Sequence, residues 1–105
     1  MKKPVNWTPT AEAELFSQLD YIAEDNPLAA IFQNEEIEKH TRLLEDNQEM
    51  GRKGRIKGTY ELIISNTPFI AIYQIMPDKV EILRFLHGAQ QWPPKEKKMR
   101  QPSEP

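Results

Sequence analysis

The stretch GRKGRIKGTYEL, residues 51–62, sets Arg52, Lys53, Arg55 and Lys57 among three glycines, in a chain whose formal charge is -2. Charged loops of this kind are commonly solvated hairpin connections. Four cations together also make a site for something anionic, and any phosphate contact there would be salt-dependent. A second cluster lies in VEILRFLH, residues 80–87. Arg84 sits inside an apolar strand, where an unpaired charge is costly. It is either the partner of an acid on the same sheet, with Glu61 the candidate, or part of a site. His87 ends that strand, where a histidine can serve as an acid or cap the sheet edge through the backbone. Arg84 and His87 are three apart, so a regular strand points them to opposite faces unless a bulge intervenes. His40, mid-helix among charged residues, is expected to be exposed.

Charge is distributed unevenly around these clusters. Residues 12–49 carry eleven acids against Lys39 and Arg42, a net of -9, whereas residues 51–100 carry ten cations against four acids, a net of +6. One half of a small domain is thus prepared for an anionic partner and the other for solvent or a cation. With 105 residues and no cysteine, the chain is a single domain without a disulfide framework or thiolate metal site. The N-terminal MKKPVNWTPTAEAEL has no apolar core of a signal peptide, and FIAIYQIM is too short to span a bilayer. A cytoplasmic location with no membrane contact is expected. There is no metal-ligand constellation, no phosphate loop of P-loop spacing and no sign of a cofactor.

These side chains need elements to hold them. PVNW, residues 4–7, reads as an edge strand. Thr8 followed by Pro9 starts a helix whose apolar stripe of Ala11, Leu15, Leu19 and Ile22 reaches about residue 24. Asn26 followed by Pro27 starts a second helix, predicted to run to about Asn47, in an antiparallel hairpin with the first. Its buried line is Ala30, Ile37 and Leu44. Asn34 and Thr41 interrupt that line, and Phe32 either covers the edge of the core, the favoured reading, or is exposed for a partner. TYELIIS, FIAIYQIM and VEILRFLH then read as three consecutive antiparallel strands, FIAIYQIM being central because it is apolar on both faces. Trp92 and Pro93 dock on the domain, and residues 94–105 form a basic, proline-rich, disordered tail. The order is β-α-α-β-β-β, an α+β fold with a helical hairpin on one face of a small, mostly antiparallel sheet, in a domain of residues 1–93.

YIAEDNPLAA, MGRKGRIKGTYEL, TPFIAIYQI and VEILRFLHGAQQWP occur in that order. With these segments the chain resembles the RelE/ParE superfamily of type II toxin–antitoxin toxins, on the ParE side, over about residues 5 to 93. The resemblance implies a growth-inhibiting toxin silenced by a cognate antitoxin encoded by a neighbouring gene. Its target would be DNA gyrase, as for ParE, or messenger RNA on the ribosome, as for RelE. A nuclease would need an acid, a base and cations around the phosphorane, for which Arg55, Arg84 and His87 are the candidates. Arg52, Lys53, Lys57 and Tyr60 are candidates for contacting the target or RNA. Relatives often read GTREL where this chain has GTYEL, so Tyr60 replaces a cation that cleavage would use. The incomplete acid–base set favours gyrase binding, with the ribosome-dependent endoribonuclease as the alternative; a decayed toxin retained as an antitoxin-binding module is a third reading. The resemblance places the antitoxin along the helices and across the sheet, with Leu15, Phe16, Leu19 and Phe32 as its candidate contacts. No helix-turn-helix pattern supports a nucleic-acid regulator.

Overall fold

The computed structural model describes residues 1–94, so most of the expected tail, 95–105, lies outside the described residues. Strand β1 (Val5–Trp7) leads into helix α1 (Pro9–Asp25), and helix α2 (Pro27–Leu43) follows. Thr8 Oγ1 accepts the Ala11 N–H at 3.2 Å and donates to the Leu83 carbonyl at 3.2 Å. The cap therefore ties the helix start to the last strand. Asn26 is the whole link between the helices: its N–H closes α1 on the Ile22 carbonyl, and its side chain accepts the Ala29 N–H that opens α2.

Helix α2 ends at Leu43, before the expected Asn47. From Leu44 to Asp46 the N–H groups bond three residues back, and Gln48 Nε2 donates to the Leu44 and Glu45 carbonyls at 3.2 and 2.6 Å. The side chain thus takes over the orphan carbonyls of the last turn. Ala30, Ile37 and Leu44 form the buried line as expected. Thr41 joins them because its hydroxyl donates to the Ile37 carbonyl at 2.9 Å and so satisfies itself within the helix. Phe32 is 48% exposed, which corrects the favoured place at the core edge and agrees with the alternative of an exposed ring. His40 is half-buried rather than exposed, its Nδ1 lying 2.8 Å from the Glu36 carbonyl.

The remaining strands are β2 (Arg52–Lys53), β3 (Tyr60–Ile63), β4 (Phe69–Ile75) and β5 (Val80–His87). They form a five-stranded sheet in the order β1-β5-β4-β3-β2, antiparallel throughout except that β1 runs parallel to β5. Two residues of β2 are too few to show a period-two pattern, which is why only four strands are expected from the sequence. The helices cover one face. Ala11, Ile37 and Leu44 meet Leu62, Ile64, Phe69, Ala71, Tyr73, Val80, Ile82 and Phe85 there.

β5 contains a bulge. Ile72 faces Arg84 and Tyr73 faces Ile82, so Leu83 is the extra residue. Val80 and Ile82 face the core before it and Phe85 after it, which sends Arg84 to the other face. Without the extra residue, Arg84 would share the core side with Val80 and Ile82.

Tyr73 fixes where the basic loop leaves α2. Its hydroxyl donates to the Gln48 carbonyl at 2.6 Å and accepts the Gly51 N–H at 3.0 Å. A Cβ on Gly51 would meet both the Glu61 carbonyl oxygen and the Tyr73 hydroxyl at 2.8 Å, so the crossing admits only glycine. Gly58, at φ +86°, makes the loop's other special turn. Burial pushes the Tyr73 phenol above its ordinary value, partly offset by the Gly51 N–H bond. The folded chain therefore holds this proton more tightly than the unfolded one. The associated stability is complete below about pH 10 and is lost as pH rises through the folded value. Urea midpoints at pH 9 and 11 should show a loss that Tyr73→Phe removes. An equal alkaline loss in both proteins would put its origin elsewhere.

Candidate functional site

The face of the sheet turned away from the helices carries a row set by strand register: Arg52 opposite Glu61, Glu61 opposite Ile72, and Ile72 opposite Arg84. The next row is Ile63, Ile70 and Leu86. Arg52 and Arg84 thus lie on one surface, and the loop brings Arg55 over it.

None of these three guanidiniums stands alone. Glu61, only 3% exposed, accepts Arg52 Nε at 3.1 Å and Nη2 at 2.9 Å through one oxygen. Its other oxygen accepts the Arg55 backbone N–H at 3.3 Å and lies 3.7 Å from Arg55 Nε. A buried carboxylate is tolerable when its lone pairs are taken up in this way. Half of the loop's cationic excess thus serves as counter-charge to one acid of the sheet. Lys53 and Lys57 are exposed, and Lys53 takes the register position of Tyr60, away from the Arg52 row.

Arg84 does not pair with Glu61, which corrects that expectation. Its partner is Glu14 of α1, through Nε at 3.1 and 2.9 Å and Nη2 at 2.6 Å. Glu14 also accepts the Phe85 N–H at 2.7 Å. β1 pairs only with Val80–Ile82, so the rest of that β5 edge needs another acceptor, and Glu14 supplies it. The bond to Glu14 raises the Arg84 guanidinium still further above its ordinary value, against a smaller opposing effect of burial.

By register His87 belongs to the other side. It pairs with Phe69 in register and meets that ring edge-on at 6.0 Å, and its Nδ1 accepts the Ala89 N–H at 3.1 Å. The bulge at Leu83 precedes both residues, so it does not bring His87 round to Arg84. Tyr60 likewise faces the core, stacked on Tyr73 at 5.4 Å, away from Arg52, Arg55 and Arg84. Arg55 and Arg84 therefore share the open face and Tyr60 stays on the helix side, while His87, at the strand end, follows the Phe69 register yet also borders the small cavity beside Arg55 and Trp92. The sequence reading missed Glu14 and matched Glu61 to Arg84 rather than to Arg52 and Arg55; an arginine in an apolar strand names a need but not its partner.

Trp92 completes the open face. Arg55 Nη1 donates to its carbonyl at 2.7 Å, and the Arg84 guanidinium carbon lies 5.2 Å from its ring centre.

On the opposite side, between the helices and β1, a groove of about 280 Å³ is lined by Leu15, Phe16 and Leu19 together with Trp7 and Ile37. Phe16 is 55% exposed; Phe32 does not line the groove. Among the described residues no group of acids and histidines could hold a metal ion, and no helix is long and apolar enough to cross a membrane.

Comparison with known proteins places this geometry. Y4kP of Sinorhizobium fredii (strain NBRC 101917 / NGR234) is 39% identical over 92 residues, covering 88% of this chain and 95% of that protein. The structure titled "Chromosomal ParDE TA system from P. aeruginosa" superposes with a TM-score of 0.75 at 25% identity, covering 82% of this chain and 96% of that one. The E. coli DinJ-YafQ toxin-antitoxin complex shares the fold, with a TM-score of 0.55 at 12% identity over 88% of this chain and 99% of that one. The family profile described as "ParE toxin of type II toxin-antitoxin system, parDE" matches residues 5–92. With that match across nearly all of the described fold, the chain belongs to the ParE toxin family of type II toxin–antitoxin systems.

Proposed function

We propose that this toxin acts in the cytoplasm as a protein-binding poison of DNA gyrase, without bond-breaking chemistry of its own. The observation that carries the reading is the commitment of the candidate nuclease residues elsewhere. Arg55 and Arg84 are held by Glu61 and Glu14, and His87, in register with Phe69, has its Nδ1 taken up by the Ala89 N–H. A nuclease needs an acid and a base within hydrogen-bond reach of one phosphate. A protein-binding face needs only ordered side chains and a complementary field, which the Arg52–Arg84 row with Arg55 over it supplies. The cognate antitoxin, encoded next to the toxin, would seat apolar side chains in the groove of Leu15, Phe16 and Leu19, with Phe32 as an outlying contact.

One observation favours a second reading, a ribosome-dependent endoribonuclease: Arg52, Arg55 and Arg84 do converge on one face. Pulse labelling of DNA and protein after induction of the toxin alone separates the two. The gyrase reading expects DNA synthesis to fall first with translation intact. A collapse of translation within minutes would overturn it and direct mutagenesis to Arg55, Arg84 and His87.

A further inference from the structure

Ile72 and Leu86 belong to the open face, away from the helices, yet they are only 1% and 3% exposed. The segment that follows β5 returns to them, and Trp92 lines a small cavity together with Ile70, Ile72 and Leu86. Trp92 lies over this floor with Arg55 at its carbonyl and Arg84 over its ring, and a cavity of about 20 Å³ remains beneath. The fit is incomplete in one respect: among the described residues the buried indole Nε1–H has no acceptor. A buried donor left unpaired weakens its own seat. The docking therefore combines a well-formed slot with an imperfect occupant.

We propose that this slot is a binding site in its own right, for an aromatic side chain of a partner polypeptide, and that Trp92 is its resident self-ligand. Three features define what enters. The floor of Ile70, Ile72 and Leu86 takes a flat apolar group. Arg84 offers a cation to the ring face. Arg55 Nη1 offers a donor to the main-chain carbonyl beside the ring. Ring and carbonyl together are a peptide pattern, and the guanidiniums at the rim favour an acidic neighbour in that peptide. Arg55 and Arg84 keep Glu61 and Glu14 as partners when Trp92 leaves, so exchange uncovers no unpaired charge. The partner's affinity is lowered by the fraction of chains in which Trp92 is seated. The inference does not depend on which target the toxin has.

The test uses methyl-labelled full-length chain titrated with N-acetyl-tryptophanamide. Trp92→Ala should bind the probe, shifting the methyl signals of Ile70, Ile72 and Leu86. The unaltered chain should bind on the order of tenfold more weakly, as a mostly occupied site requires. Trp92→Ala combined with Arg55→Gln, which empties the slot but removes the donor to the probe's carbonyl, should bind more weakly than Trp92→Ala and separates the slot from non-specific binding to a misfolded chain. Equal binding by all three chains, or no response in Trp92→Ala, overturns the proposal. So does tighter binding of adenosine monophosphate than of the probe, which would make the slot a nucleobase site.

Discussion

Glu14→Ala should lower folding stability by about 3 kcal/mol, and Arg84→Ala by about 2 kcal/mol, read as shifts in the urea midpoint. The order of the two values follows from the geometry. Glu14 accepts from the Arg84 guanidinium and also from the Phe85 N–H. Removing the acid strands a backbone donor and a cation together. Removing the arginine leaves Glu14 with the Phe85 N–H and with water, since the carboxylate side chain is 24% exposed. The double variant should therefore resemble Glu14→Ala alone, as expected for two groups acting through one contact. This also decides what a loss of toxicity in Arg84→Ala means. If Glu14→Ala is equally non-toxic and equally destabilised, Arg84 acts by holding α1 to β5. An Arg84→Ala chain of undiminished stability that had lost toxicity would return Arg84 to the site.

Phe85→Ala should be more damaging, at about 3–5 kcal/mol, in a fold whose total stability is on the order of 5–15 kcal/mol. Phe85 is fully buried and touches two other aromatic rings, with centroids 5.7 Å from Trp7 and 4.9 Å from Phe69. It thus joins the edge strand to the sheet centre, and no neighbour can collapse into its volume without leaving another gap. Phe16→Ala, at an exposed position, should change stability by no more than about 0.5 kcal/mol. Thermal or urea melts of the two variants check the contrast. A mild Phe85→Ala phenotype would mean that the Trp7–Phe85–Phe69 stack repacks.

The features legible in the sequence are those with local causes. Thr8-Pro9 and Asn26-Pro27 announce both helix starts because cap and φ constraint act within one turn. FIAIYQIM announces the sheet centre because both of its faces are apolar. The family resemblance was carried by four ordered segments, and the profile match over residues 5–92 bears it out. What was not legible depends on distant partners or on too few residues. Glu14 lies 70 positions from Arg84, and nothing in TPTAEAEL distinguishes it from Glu12, which faces solvent. The bulge at Leu83 has no glycine to mark it. β2 is two residues long, and Gln48 ends α2 early by a side-chain bond that no periodicity reveals. Phe32 shows the limit of apolarity as a guide: a large hydrophobic residue near a buried line can equally face outward.

The parallel edge strand bears on the order in which the chain assembles. The helical hairpin and the β3-β4-β5 meander are built from neighbours in sequence and can form early. Val5 must wait for Val80, 75 positions further along, before its strand has anything to pair with. During synthesis, the first strand made is thus the last to be satisfied. Until it docks, Trp7 leaves one side of Phe85 uncovered and the Thr8 bonds to Ile82 and Leu83 are unmade. A ParE chain in this interval would already have its helices yet lack a closed sheet, and its exposed β5 edge would be the place where misassembly begins.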